Sequence, residues 1–264
     1  MKVFLPGVHA AARGDASPGV SASAGALASA GGTGTYRGAG TAGIRTFDPD
    51  AIRVILFDID GTLYTDADYS RFQIDVLVEE LARVRGWELS RAVAEVEQAR
   101  CAEALARGQA TSSLGNAMAR LGVDMATSVA WRTRLIEPER FLGPDPRLAE
   151  ALGRLVGPPP GLRLVAVTNN PRLVGQKTLA ALGVEHLFAE VVGLDDTMKS
   201  KPDPAPFVLA LELAAVPAGQ CLAVGDRYDV DLAVPLAIGM GAVLVDGVAD
   251  VYALPDLILG LTDS

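Results

Sequence analysis

The sequence predicts an α/β chain: a doubly wound, mostly parallel sheet with one all-helical insertion. Three observations carry this. From residue 52 onward, short apolar runs alternate with stretches of helical length, the pattern of βα units. Between the first two such runs, residues 70–136 show helical periodicity and few strand signals. Short polar motifs follow the apolar runs directly, where open α/β sheets collect ligands at strand carboxyl ends.

Taken in order, residues 1–46 stand apart. Twenty-five of them are Gly, Ala or Ser, and Asp15 is the one acid. Such a stretch buries too little apolar surface to offset its ordering entropy, so a disordered extension is expected. Lys2, Arg13, Arg37 and Arg45 among several serines give it a weak transit-peptide character, whereas Pro6, Gly7 and His9 interrupt any secretory signal. Val54–Phe57 is the first strand. Residues 70–85, 90–107, 112–121 and 126–136 are helices rich in Ala, Leu, Glu and Arg. Asp145–Leu155 is another helix, stopped by Pro158-Pro159-Pro160-Gly161. The second strand is Leu162–Val167. Arg172–Leu182 forms a helix closed by Gly183. A short strand at Phe188–Val192, a helix at Pro204–Ala214, a strand at Leu222–Val224, a helix at Asp231–Ile238 and a strand at Ala242–Val245 complete the series. The helical stretch after the first strand is too long for a simple crossover. It is therefore expected to be a separate cap, residues 66–143, over a core of residues 47–65 and 144–264.

Composition narrows the function. The chain has 264 residues, 50% of them apolar, and a net charge of −9. That balance disfavours nucleic acid and anionic membranes, since both attract basic surfaces. A small anionic substrate stays open, because a bound metal reverses the local field. Cys101 and Cys221 lie far apart with no CxxC spacing, so neither zinc nor a disulfide framework is expected. His9 and His186 have no nearby ligand partners, which leaves proton transfer to carboxylates or water. No apolar run reaches the 18 residues of a membrane helix. A cytoplasmic protein is expected; the oligomeric state is not readable.

The most informative segment is Phe57-Asp58-Ile59-Asp60-Gly61-Thr62-Leu63-Tyr64, at the end of the first strand. Two carboxylates this close repel each other, and burial penalises both ionised forms. A hard divalent cation such as Mg²⁺ relieves both costs. Taken alone, Asp-x-Asp-Gly also reads as a helix cap or turn. Three further motifs weigh against that. Thr168-Asn169-Asn170 follows the apolar run Leu164–Val167. Lys199-Ser200-Lys201-Pro202-Asp203-Pro204 precedes a helix, in a chain with only four lysines. Gly225-Asp226 ends the strand Leu222–Val224, with Asp229 and Asp231 just beyond. Together they supply the parts of a phosphoryl-transfer site: a nucleophilic carboxylate, a proton-transferring carboxylate, phosphate donors, a balancing lysine and a third carboxylate for Mg²⁺. Catalysis of this kind is mostly positioning and electrostatics.

In these four motifs, in this order over about residues 52–247, the chain resembles the phosphatase branch of the haloacid dehalogenase superfamily. The resemblance implies a Rossmannoid core with a C1-type helical cap. It implies Asp58 as nucleophile, forming an aspartyl-phosphate, and Asp60 as general acid and base, its backbone carbonyl also on the metal. Thr168, with backbone N–H groups near Gly61 and Asn169, would hold the phosphoryl group. Lys201 would pair with Asp58 and the phosphoryl; Lys199 fits less well. Asp226 would join Asp58 on Mg²⁺, and Asp231, ahead of Asp229, would orient the metal shell or Lys201. Within the superfamily, a dehalogenase pattern lacks the second Asp, which is present here as Asp60. A phosphonate hydrolase needs a cap lysine, and residues 66–143 contain none. A sugar phosphomutase shares all four motifs and remains an alternative, as does a non-catalytic metabolite-binding module. The substrate reads as phosphoglycolate, a sugar phosphate or a nucleoside monophosphate. Tyr64, Asp68, Tyr69, Arg71 and Phe72 lie where they reach either the leaving group or ordinary hinge packing. Arg132 and Arg134 are candidates to meet an anionic substrate.

Overall fold

The computed structural model describes residues 1–4, 49–107, 113–158 and 161–259. Among them are six strands: β1 (Lys2–Phe4), β2 (Val54–Phe57), β3 (Arg163–Val167), β4 (Phe188–Val192), β5 (Cys221–Gly225) and β6 (Gly241–Leu244). They form one sheet in the order β1-β6-β5-β2-β3-β4. All neighbours pair parallel except β1, which runs antiparallel to β6. The sheet is doubly wound about β2, so the carboxyl ends of β2, β3 and β5 meet where strand order reverses. That is where such sheets open a ligand crevice.

β2 is buried on both faces, as a central parallel strand must be. Its alternate residues serve two cores. Ile55 and Phe57 pack with Leu164, Leu222 and Val243. Val54 and Leu56 pack with Val165, Val167 and Cys221 on the other side. Between β2 and β3 the described residues form five α-helices: α1 (Ala67–Arg85), α2 (Leu89–Arg107), α3 (Leu114–Arg120), α4 (Met125–Leu135) and α5 (Pro146–Val156). α5 buries Leu148, Leu152 and Leu155 against the first core, and Asp145 caps its start by accepting from Arg147 N and Leu148 N. α6 (Arg172–Ala181) adds Val174 and Leu179 to that core. α7 (Leu194–Thr197) follows β4, and α8 (Ala205–Ala214) covers the opposite face with Phe207, Ala210 and Ala214. After β5 come a π-helical turn at Tyr228–Leu232 and α9 (Ala233–Ala237). After β6 come α10 (Val248–Tyr252) and α11 (Leu254–Leu259).

Helices α1–α4 carry a core of their own, including Leu77, Leu81, Val96, Met118 and Val123. Asp66 caps α1 by accepting from Tyr69 N at 2.7 Å, and Gly86 ends it in the left-handed conformation, φ 62°. Glu80 is buried on α1 and accepts from Arg83 and from Arg134 on α4. Those hydrogen bonds hold its carboxyl down to about 2. No helix of the described residues is long and apolar enough to cross a membrane.

One expectation needs correcting. Lys2–Phe4 are not part of a disordered extension: they form the strand beside β6, with Val3 opposite Val243. The open edge of β6 offers unpaired N–H and C=O groups, and this segment satisfies them. The rest of the expected extension, residues 5–46, lies outside the described residues, as do Pro159 and Pro160 of the proline stop. The strand and helix positions otherwise follow the sequence reading to within a few residues, Gly183 included, at φ 76°.

Candidate active site

Asp58 follows directly on β2, its N–H donating to Val224 O of β5 at 2.9 Å. Its side chain is buried, at 4% exposure. The chain then turns sharply, with Thr62 N and Leu63 N both donating to Ile59 O. Gly61 makes this turn at φ 85°, and a Cβ there would lie 2.6 Å from Asp226 Oδ2. Glycine is thus required twice, for the backbone and for room beside a carboxylate. We expect Gly61→Ala to cost about 1–3 kcal/mol in strain and to displace Asp226. Thermal unfolding and a turnover assay on the variant check this; unchanged values of both would contradict it.

Lys201 reaches the site from the loop before α8. Its ammonium, almost fully buried, lies 2.6 Å from Asp58 Oδ1, 2.7 Å from Asp231 Oδ1 and 2.7 Å from Val167 O. Two of its hydrogens are donated to Asp58 Oδ1 and Val167 O, while Asp231 faces it as an ion pair. Burial alone would depress its pKa, but Asp231 and Asp58 outweigh that and raise it. The loop is clamped by Asn169, which accepts from Lys201 N at 2.7 Å and donates to Lys201 O at 3.2 Å. Asn169, expected to help hold phosphate through its backbone N–H, thus also sets the position of Lys201. Lys199 is exposed and outside this cluster.

Asp58, Asp226 and Asp231 bring carboxylate oxygens within 4.8 Å of one another. Asp226 Oδ1 is buried without a hydrogen-bond partner, 3.6 Å from Arg227 Nε. Burial first, then the Asp231 charge, push Asp58 up to about 7, with Lys201 pulling the other way. Burial and Asp231 likewise push Asp226 up to about 6. Three carboxylates beside Lys201 and Arg227 are short of positive charge, and Asp226 Oδ1 and Asp231 Oδ1, both buried without a hydrogen-bond partner, point to where it belongs. The donor set, all hard oxygen, fits Mg²⁺. Asp231 joins this cluster from the π-helical turn, a rare element that tends to mark functional sites. Asp229 is exposed on the same turn.

The side chain of Asp60 points away from that cluster. Its Oδ1 accepts from Tyr64 OH at 2.5 Å and from Gln73 Nε2 at 3.0 Å. Its Oδ2 accepts from Thr168 Oγ1 at 3.3 Å and from Asn170 Nδ2 at 3.1 Å. One carboxylate is thus paired with a lysine, and its neighbour is held by neutral donors. A protein-family model described as haloacid dehalogenase-like hydrolase matches residues 52–239, all four motifs included. This chain is a haloacid dehalogenase-like hydrolase.

Relatives of this hydrolase agree. It is 30% identical to the phosphoglycolate phosphatase of Pseudomonas syringae pv. tomato over 69% of this chain and 65% of the relative. It therefore spans about 65% of the length of that relative. It is also 30% identical to the phosphoglycolate phosphatase of Escherichia coli O157:H7, over 69% of this chain and 77% of the relative. Among solved structures, a 2-haloacid dehalogenase from Pseudomonas syringae pv. tomato superposes with a TM-score of 0.51 at 20% identity. That match covers 80% of this chain and all of the other, and it shows the shared fold.

Between the hydrolase core and helices α1–α4 lies a cavity of about 470 Å³, lined by Asp60, Lys201 and Asp226 below and by Gln73, Ser128 and Arg132 above. Arg132 donates to Asn170 Oδ1 at 2.9 Å, so it meets the site through a partner. Arg134 instead pairs with Glu80, away from the cavity. Of the five residues after the first motif, Tyr69 and Phe72 are packing groups: Tyr69 shares a hydrogen bond with Thr178, and Phe72 stacks on Phe141 at 4.7 Å. Asp68 and Arg71 are exposed. Tyr64 alone touches the site, and burial and Asp60 keep its phenol protonated. Gln73 and Asn170 were not singled out by sequence. Asn170 had a motif to find it, whereas Gln73 sits in an unremarkable helical stretch.

Proposed function

We propose that this chain is a Mg²⁺-dependent phosphatase that hydrolyses a small phosphate monoester through an aspartyl-phosphate on Asp58. The observation that carries this is the second carboxylate: Asp60, held in place beside a buried, lysine-paired Asp58. In the first step an Asp58 oxygen bonds to phosphorus, the P–O ester bond breaks, and the leaving oxygen takes a proton from Asp60. In the second step water gives a proton to Asp60 and attacks phosphorus, releasing phosphate and restoring Asp58. Splitting one difficult displacement in two is the gain of covalent catalysis. Lys201 balances charge on Asp58 and the phosphoryl group. Thr168 and backbone N–H groups near Gly61 and Asn169 hold phosphoryl oxygens. Asp58, Asp226 and the Asp60 carbonyl would hold Mg²⁺, which when bound neutralises charge on the phosphoryl oxygens. Asp231 orients Lys201.

Helices α1–α4 act as a cap that closes the cavity and excludes water. The substrate class is a small phosphorylated metabolite, phosphoglycolate-like given the relatives' names, with no nucleic acid or membrane partner and a cytoplasmic setting. Incubating the protein with 2-phosphoglycolate, glucose 6-phosphate and AMP, with Mg²⁺ or EDTA, tests this. Mg²⁺-dependent release of phosphate is expected, and no release from any of them contradicts it.

The metal has a second readout. Without Mg²⁺, the folded pKa values of Asp58 and Asp226, about 7 and 6, lie above the unfolded value near 3.8. Between those limits the folded chain binds more protons than the unfolded one, so these groups make it less stable as pH rises from about 4 to 7. Mg²⁺ favours the ionised forms, so its stabilisation grows over the same window. At a hundred times its dissociation constant it contributes about 2.7 kcal/mol. Melting curves at pH 5 and pH 7.5 check this; an equal Mg²⁺ shift at both would contradict it.

A further inference from the structure

The hydrogen inventory around Asp60 closes without conflict. Gln73 Nε2 has two hydrogens, one aimed at Asp60 Oδ1 and one at Tyr64 OH, 2.9 Å away. The Tyr64 hydroxyl spends its own hydrogen on Asp60. Asn170 Nδ2 also has two, one for Asp60 Oδ2 and one for Gln73 Oε1 at 2.8 Å. Asn170 Oδ1 accepts from Arg132. Each hydrogen is used once, and the pattern fixes the orientation of both amides.

The ionised Asp60 carboxylate therefore accepts four hydrogen bonds, two on each oxygen, which fills its acceptor capacity, and the proton it carries as an acid must displace one of these donors. Three of the donors, Tyr64, Thr168 and Asn170, belong to the core. Among the described residues Gln73 is the one direct donor from the helical insertion, on α1, and Arg132 on α4 supports Asn170 from the same side. Gln73 and Asn170 line the cavity, whereas Tyr64 and Thr168 do not. A leaving-group oxygen coming from the cavity must thus take the place of a donor that the insertion controls.

We propose that Gln73 is a positioning residue through which the cap sets the Asp60 carboxyl for proton transfer, with Arg132 acting in the same direction through Asn170. This rests on the phosphatase reading above. Gln73 touches no reacting atom of its own; it aims Asp60 and yields to the leaving oxygen. The chemistry gives a signature that mere packing does not. A misaimed acid harms esters whose leaving group needs a proton and spares those whose leaving group departs as a stable anion.

The test compares kcat/KM for phenyl phosphate and p-nitrophenyl phosphate, with Mg²⁺, in the wild type, Gln73→Leu and Arg132→Met. kcat/KM reports the phosphorylation step and not the shared second step. Gln73→Leu is expected to lose about tenfold or more on phenyl phosphate, a part of what general acid catalysis supplies, and less than about threefold on the nitrophenyl ester. Arg132→Met is expected to show the same skew, more weakly. Equal losses on both esters, or none, overturn the positioning role while leaving the phosphatase reading intact. A wild type inert toward both overturns that reading and this proposal with it.

Discussion

Replacing Asp58 with asparagine is expected to lower turnover by about 10⁴-fold or more, the scale seen when a covalent nucleophile is removed, while leaving the fold intact. The amide cannot form the aspartyl-phosphate, and none of the other carboxylates stands in the same place. Asp60 is turned away and held by four donors. Asp226 and Asp231 enter the cluster from beyond β5, Asp226 directly after the strand and Asp231 on the turn that follows. Stability should hold because ionised Asp58 is an unfavourable group: burial and Asp231 both oppose its charge. Asparagine removes that charge at nearly the same volume. Lys201 keeps Asp231 and Val167 O as partners. A melting temperature equal to or above that of the wild type, with turnover lost, is the expected pair of results. This is the trade-off of an active site that stores unfavourable electrostatics. Residual turnover within tenfold of the wild type would rule out the covalent route.

Asp60→Asn is expected to divide its effect by step. For an alkyl phosphate, whose leaving group needs a proton, turnover should fall about 10²–10⁴-fold, the usual contribution of a positioned acid or base. For an activated aryl ester the first step needs little help from an acid, so phosphorylation should persist. The second step still needs a base for water, so the phosphoenzyme should accumulate. A rapid burst of phenol followed by a slow steady state is the kinetic sign. Normal rates with every ester would remove Asp60 from the mechanism. A uniform loss without a burst would make its role structural.

Much of this was legible before any coordinates. A strand that must be buried on both faces, as β2 is, has to be apolar throughout, and Val54–Phe57 is. Carboxylates immediately beyond such a strand are costly unless something compensates them. Asp58 and Asp226 were legible for that reason, each following a strand, and Lys201 for its place in a Lys-x-Lys-Pro before a helix, in a chain with only four lysines. The rest depends on contacts that no local pattern encodes. β1 is three residues long and pairs with a strand some 240 positions away in sequence, so neither length nor periodicity announces it. Gln73 looks like any polar residue on α1 until the helix is docked against Asp60. Asn169 was read for its backbone, and its side chain does further work on the Lys201 loop. Asp231 follows no strand directly; the family resemblance set it beside the metal shell or Lys201, and the π-helical turn is what carries it to Lys201.

Phosphate is proposed to pass through Asp58, and this can be observed. The most direct measurement mixes the Asp60→Asn variant with p-nitrophenyl phosphate and Mg²⁺, quenches in acid and maps the modified peptide by mass spectrometry. One phosphoryl group is expected on the peptide that contains Asp58, absent when Asp58→Asn is added to the same chain. A burst of nitrophenol with no phosphoryl on that peptide, or with the label on another residue, would contradict it.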